Sequence, residues 1–333
     1  MSVALPEALI DVEAAAAPLL RLRVQAIRMQ AEGIHAFELV DADGTELPPV
    51  AAGAHVDVHL RGGLVRSYSL AGDPADRTTW TLGVLREANG QGGSKAMHES
   101  VRVGELLTVS HPRNAFALMP QAAHTVLLAG GVGITPIKAM AHALAAQGAS
   151  FELHYCARTP RHAAFTRELQ AIVPPGRLHF HFDNGVPGQG LDIAGVLLKQ
   201  AGGAHLYYCG PAGFMKACAE ASTHWSPGSV HFEHFKPPEP APRAVADGSF
   251  EVRLARRGIT LPVLPEQTIV RAIELAGFRV PTSCLSGLCG SCKVNYLEGE
   301  VEHNDYILSD EEKTRCLTLC VSRARSPMLV LDL

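Results

Sequence analysis

Between residues 20 and 118, apolar and polar positions alternate in short runs, HVDVHL (55–60), RSYSL (66–70) and WTLGVL (80–85), separated by Gly, Pro and Asp clusters. A period of two sends successive side chains to opposite faces of a strand, and frequent turn residues keep the strands short. The pattern predicts an antiparallel β-barrel or sandwich. From about 120 to 236 the runs become continuously apolar: HTVLLAG (124–130), SFELHYC (150–156), LHFHFD (178–183) and HLYYCG (205–210). Helical stretches such as ITPIKAMAHALAAQG and AAFTRELQAIV (163–173) alternate with them. Strands apolar on both faces, interleaved with helices, imply βαβ units and a parallel sheet. Beyond residue 248, FEVRLARRGITLPV reads as a hairpin, TIVRAIELAG as a short helix and SPMLVLDL as a closing strand, a small α+β module. The proline-rich KPPEPAPRAVADG (236–248) lacks apolar periodicity and is the expected linker. The blocks divide as 1–119, 120–236, linker 237–248 and 249–333, with no internal repeat.

A length of 333 residues suits two or three domains. Hydrophobic residues at 47% describe a chain able to bury several cores. A net charge of −4 offers no basic stripe for nucleic acid or an anionic membrane. MSVALPEALIDVEAAAAPLL has no basic n-region and carries Glu7, Asp11 and Glu13, so no secretory signal or transit peptide is expected. No uncharged apolar run reaches membrane-spanning length. A cytoplasmic location is expected, where thiols stay reduced, and disulfides are set aside.

That exclusion matters because CLSGLCGSC spends three of the eight cysteines in nine positions. Cys284, Cys289 and Cys292 are spaced C-x4-C-x2-C and Cys320 follows, the plant-type spacing for a [2Fe–2S] cluster on four thiolates. Zinc ribbons prefer two C-x2-C knuckles, which a four-residue gap fits poorly. Gly287, Gly290 and nearby serines let a backbone curl and aim N–H groups at sulfur. Zinc and unligated core cysteines are the alternatives. Cys316 competes as fourth ligand, Cys320 being preferred; Cys156 and Cys218 read as core thiols.

Two further motifs carry chemistry. LLAGGVGITP (127–136) places a glycine turn between a buried strand and a helix, where backbone can approach a pyrophosphate, although it does not match G-x-G-x-x-G. YYCGPAGFM (207–215) ends a second strand at the same carboxyl edge, where open α/β sheets collect ligands. RSYSL supplies Arg66, Tyr68 and Ser69 on one strand, and NGQGGSK (89–95) a glycine loop entering a helix; together they suit a flavin and its phosphate.

RSYSL, NGQGGS, AGGVGITP, YYCGP, HFEHF and CLSGLCGSC…CVSRA in this order resemble the phthalate dioxygenase reductase family, vanillate demethylase reductases included. The resemblance runs from about residue 20 to the end. It implies a flavin-binding antiparallel β-barrel, a ferredoxin-reductase-like NAD domain and a C-terminal plant-type ferredoxin of β-grasp form. It also implies FMN rather than FAD, because the ferredoxin comes last, and NADH rather than NADPH. Carried over, Arg66, Ser67, Tyr68 and Ser69 cradle the isoalloxazine and phosphate, with Gly92, Gly93 and Ser94 completing the phosphate site. Gly130, Gly131, Gly133, Thr135 and Pro136 face the pyrophosphate and nicotinamide, and Cys209, Gly210 and Pro211 line the nicotinamide pocket. Phe235 matches an aromatic that stacks on the flavin. Cys284, Cys289, Cys292 and Cys320 match the cluster ligands. One departure stands out: Thr159 follows Arg158 where the family often has Asp, so the acid that would hold the adenosine ribose is missing, and Arg158 and Arg161 suit a 2′-phosphate.

The implied activity is hydride transfer from NADH to FMN, then single electrons to the cluster and on to a terminal Rieske-type oxygenase acting on an aromatic or similarly small substrate. No general acid, base or nucleophile is required. The alternatives are a general diaphorase or a reductase serving a haem monooxygenase, and a non-enzymatic iron–sulfur redox sensor. The expectation is a monomer. Sixteen histidines, among them His231 and His234, read as packing or surface residues. Seven acids between Glu298 and Glu312 read as a solvated face or as a steering surface for a partner.

Overall fold

The first block forms six strands: β1 (Leu20–Ala31), β2 (Ile34–Asp41), β3 (His55–His59), β4 (Val65–Ser69), β5 (Trp80–Leu85) and β6 (Leu106–Val109). They pair in the order β4-β3-β6-β1-β2-β5, every neighbour antiparallel. The inward positions of the alternation, among them Val24, Phe37, Val56 and Leu82, are fully buried in one core. The sheet curls until its ends meet at a single bridge, Leu70–Leu82, beside which the Ala71 N–H donates to the Thr81 carbonyl (2.8 Å). Helix α1 (Gly93–Ser100) buries Met97 in the same core.

The computed structural model describes residues 10–11, 19–90, 92–120, 122–186, 188–198, 202–226, 228–237 and 248–333. Most of the expected linker and Gln91 of the glycine loop lie outside them. No helix of the described residues is long and apolar enough to cross a membrane.

The second block gives β7 (His124–Gly130), β8 (Phe151–Ala157), β9 (Leu178–Phe182), β10 (Ala204–Cys209) and β11 (Val230–Glu233), all parallel, in the order β9-β8-β7-β10-β11. Both faces are covered, which is why β7 is continuously apolar. Leu127 and Ala129 pack with Ile137 and Met140 of α2 (Ile134–Ala146), and Val126 and Leu128 pack with Leu197 and Met215 of α4 (Ile193–Leu197) and α5 (Ala212–Ala221). Between them in sequence lies α3 (Thr166–Ile172), which starts later than its apolar pattern because Phe165 takes φ +59°.

The barrel and this sheet share one core within the compact unit Leu19–Phe235, with Ala36 and Phe116 joining the α2 cluster. Lys138 is buried at that junction. Its Nζ donates to the Ala71 carbonyl (2.9 Å), pairs with Glu168 (2.6 Å) and lies 4.9 Å from the Phe165 ring centre. Removing the anion strands a buried ammonium, whereas removing the ammonium strands only a carbonyl. Glu168→Gln is therefore expected to cost about 3 kcal/mol and Lys138→Met about 1–2 kcal/mol. Urea midpoints at constant m-value measure the difference, and the opposite ranking would refute the account.

The third block forms β12 (Phe250–Leu254), β13 (Ile259–Val263), β14 (Lys293–Glu298), β15 (Cys316–Thr318) and β16 (Met328–Leu331), ordered β13-β12-β16-β14-β15. β16 is parallel to β12 and antiparallel to β14, and helix α6 (Ile269–Leu275) buries Ile269 and Ile273 against the sheet. Thr268 caps that helix, its hydroxyl accepting from the Arg271 N–H. Ile10–Asp11, grouped with the barrel by the block division, instead pairs in parallel with Phe278–Arg279 of this module. A two-residue pairing across so long a loop leaves no local pattern to read.

Candidate functional site

The glycine turn after β7 and the end of β10 interlock. A Cβ on Gly133 would overlap the Cys209 carbonyl and come within 2.7 Å of the Gly210 nitrogen. The two glycine motifs, far apart in sequence, thus form one surface at the carboxyl edge of the sheet. Thr135 and Pro136 are buried at the start of α2. The Thr135 hydroxyl donates to the Val132 carbonyl (3.0 Å), and its methyl fills the space above Gly83 of β5. That residue ties turn to barrel. Arg158 is exposed at the end of β8, and its carbonyl accepts from the Asn184 N–H (2.8 Å).

On β4 the period of two divides RSYS into pairs, Arg66 with Tyr68 and Ser67 with Ser69. Arg66 packs against the glycine loop so closely that a Cβ on Gly93 would overlap its side chain. This brings together a guanidinium, the N-terminal turn of the eight-residue α1 and Gly92 at φ +87°. Tyr68 is largely buried, and burial pushes its hydroxyl well above the ordinary phenol range, so it stays protonated. Ser94 accepts from the Glu87 N–H (3.1 Å), closing the loop. Ser67 donates to Asp57 (2.6 Å), which is paired with Arg113 (2.5 Å).

Ser69 leads to a residue that the sequence reading did not single out. Its hydroxyl donates to Glu233 Oε2 (3.2 Å) at the end of β11. Burial raises the Glu233 carboxyl to about 7, the Ser69 hydrogen bond opposing the shift. Glu233 is in register with Cys209, whose thiol is raised well above its usual value by burial first and by Glu233 second. A hydroxyl from the barrel, a carboxyl and a thiol from the sheet therefore meet at one edge. The available signal was an acid amid aromatics in HFEHF, just before Phe235, which is 38% exposed. His231 stacks on Tyr207 (4.4 Å) and His205 (5.2 Å).

In the C-terminal unit, Cys284, Cys289, Cys292 and Cys320 lie close enough to interact in two pairs, Cys284 with Cys289 and Cys292 with Cys320. The neighbouring Cys284 lowers the Cys289 thiol from its ordinary value, and Cys320 lowers Cys292. Cys284 Sγ also accepts from the N–H groups of Ser286 and Leu288 (3.4 Å each), and Cys289 lies 3.1 Å from the Ser291 hydroxyl. Leu285, Gly287 and Gly290 all take positive φ, the curl that aims those N–H groups. Asp305 braces the loop from below by accepting from the Leu308 N–H (2.8 Å), while Tyr306 N–H donates to the Gly287 carbonyl (3.1 Å). Cys316 is spent elsewhere, donating to Asn295 Oδ1 (3.1 Å).

Residues 252–325 match the 2Fe-2S iron-sulfur cluster binding domain, and residues 127–220 match the oxidoreductase NAD-binding domain. A tert-butanol monooxygenase / tert-amyl alcohol desaturase reductase subunit of Aquincola tertiaricarbonis is 50% identical, over 94% of this chain and 96% of that one. A vanillate O-demethylase oxidoreductase of Pseudomonas sp. is 46% identical over 93% and 98%. A solved phthalate dioxygenase reductase, described as a modular structure for electron transfer from pyridine nucleotides to [2Fe–2S], aligns with TM-score 0.70 and 39% identity over 95% of this chain and 98% of its own.

The chain belongs to the phthalate dioxygenase reductase family.

It is therefore an oxidoreductase with an NAD-binding domain and a [2Fe–2S] domain. An intact type IV self-sufficient cytochrome P450 monooxygenase also matches, with TM-score 0.87 and 35% identity, over 95% of this chain and 41% of that one. The residues fit the groups that the family implies. Four sulfurs converge on a loop whose N–H groups already point at sulfur. A Cβ on Gly93 would overlap Arg66, so glycine there keeps a guanidinium beside the first turn of α1, a donor set that suits a phosphate.

Proposed function

We propose that this family member is the NADH-dependent, FMN-containing reductase component of a Rieske-type oxygenase system. It would act in the cytoplasm as a monomer and pass single electrons to a terminal oxygenase that works on an aromatic or similarly small substrate. The observation that carries this reading is the pairing of four cysteine sulfurs in a chain that also has the interlocked glycine turn of a dinucleotide site. When bound, the nicotinamide supplies hydride, the flavin converts a two-electron donor into single electrons, and the cluster takes them one at a time.

The protein's own part is geometry and tuning. Arg66, with Gly92, Gly93 and the first turn of α1, would hold the FMN phosphate, while Tyr68 and Phe235 offer aromatic surface to the ring. Gly130, Gly131 and Gly133 leave the backbone bare for the pyrophosphate, with Cys209, Gly210 and Pro211 beside the nicotinamide. The Ser69 O–H donates to Glu233, so Ser69 presents its hydroxyl oxygen as an acceptor at the meeting edge. Cys284, Cys289, Cys292 and Cys320 would ligate the cluster, and the N–H groups on Cys284 Sγ would favour the added negative charge. NADH is favoured over NADPH on family resemblance, with Arg158 the residue to test in a kcat/KM comparison.

Anaerobic NADH titration tests the reading directly. Flavin and cluster absorption should both bleach; a cluster band untouched by NADH would sink it. Released flavin should lack an adenylate. The similarity to a self-sufficient P450 makes a haem protein the second acceptor class, and rates toward a Rieske oxygenase and a P450 separate the two.

Glu233 predicts a pH signature. Its folded-state value of about 7 lies above the ordinary 4.5, so the folded protein holds a proton that the unfolded chain has released. Stability is then lost as pH rises through that window, by ~3 kcal/mol at most, and is level above it. Glu233→Gln should flatten this slope and exceed the parent in stability at pH ~8. Urea unfolding across the window measures it; equal slopes would count against a protonated Glu233.

A further inference from the structure

Outside the redox sites, one face of the parallel sheet carries a group of histidines that neither electron transfer nor core packing uses. Glu152 and His154 project from β8, and His179 and His181 from the neighbouring edge strand β9. His154 and His179 are register partners and stack at 4.7 Å. One ligand atom from each of Glu152, His154 and His179 lies within 4.8 Å of the other two. His154 is only 7% exposed, yet its Nε2 has no hydrogen-bond partner; the nearest Glu152 oxygen is 3.7 Å away. A buried polar nitrogen left without a partner is costly.

From this arrangement we infer a divalent-cation site of the zinc class on Glu152, His154 Nε2 and one ring nitrogen of His179, joining the edge strand β9 to β8. Tetrahedral ligands about 2.1 Å from zinc sit roughly 3.4 Å apart, so the 3.7 Å between His154 Nε2 and Glu152 needs little adjustment, whereas His179, stacked on His154, has to turn its ring edge toward the site. The tautomer is right as well. His154 Nδ1 is 3.1 Å from His181 Nε2. His181 Nε2 can accept the proton of His154 Nδ1, which leaves the His154 Nε2 lone pair directed at the site. That is the second-shell hydrogen bond metal-bound histidines make. Glu152 supplies the anion, with one carboxylate oxygen 3.7 Å from His154 Nε2 and the other 3.8 Å from His124 Nε2. Two imidazoles and a carboxylate leave a fourth position for water, and imidazole selects for zinc, nickel or copper over magnesium or calcium.

The test uses the holoprotein, with flavin and cluster in place. After equilibration with micromolar Zn2+ and removal of the free metal, zinc and iron are counted per chain. One zinc is expected beyond an unchanged iron content. Glu152→Gln and His179→Gln should each weaken zinc binding at least about 100-fold, and His181→Gln, which touches no metal, about 10- to 100-fold. Zinc should raise the Tm of the parent and not that of His179→Gln. NADH-dependent ferricyanide reduction, unchanged in all three variants, verifies folding. Failure of the parent to retain zinc, or equal retention by either ligand variant, overturns the site.

Discussion

Replacing Cys289 by serine is expected to cut electron delivery to a one-electron protein acceptor at least ~1000-fold, equivalent to about 4 kcal/mol in barrier. NADH oxidation by ferricyanide, which can draw electrons at the flavin, should persist. The contrast follows from where the sulfur sits. Cys289 is buried beside Cys284, which lowers its thiol from the ordinary value, and lies 3.1 Å from the Ser291 hydroxyl. A serine hydroxyl there does not ionise near neutral pH and cannot replace a soft thiolate on iron. Cys316→Ser is the control, because that thiol is committed to Asn295. Iron content and visible absorption should fall in the first variant and hold in the second. A Cys289→Ser protein that keeps its iron would remove this cysteine from the ligand set.

Gly133→Ala should have an effect of similar size by a purely steric route. The added methyl overlaps the Cys209 carbonyl, and the obstacle is backbone, which no rotamer change can clear. Either the turn or the end of β10 must shift, and both belong to the proposed dinucleotide surface. The expected cost is ~3 kcal/mol of stability together with about a 100-fold rise in KM for NADH. Gly213→Ala in α5 is the matched control: nothing lies within 4 Å of the new methyl, and alanine favours the helix by about 0.5–1 kcal/mol. Steady-state kinetics and urea midpoints on the two variants decide the matter. A Gly133→Ala protein with unchanged KM would show that the interlock does not shape the site.

These residues also show how far sequence reaches. The parallel sheet was legible in HTVLLAG because burial on both faces writes itself as an unbroken apolar run, and the cysteine spacing was legible because one loop carries three of the four cysteines. Glu233 and Ser69 were not, since 164 residues separate them and nothing local to either marks the other. Lys138 reads as an ordinary polar position in an apolar helix; only the fold brings Ala71 and Glu168 around it. The histidines of LHFHFD read only as packing or surface residues of a strand. Their meaning depends on register with β8, which periodicity within one strand cannot supply.

The last strand of the chain, Met328–Leu331, is the middle strand of its five-stranded sheet, and Leu333 is buried beyond it. The hairpin β12–β13 and the pair β14–β15 exchange no ladder hydrogen bonds with each other and are joined in the sheet only by β16. Losing Met328–Leu331 would therefore divide the sheet, where the loss of an edge strand would merely shorten it.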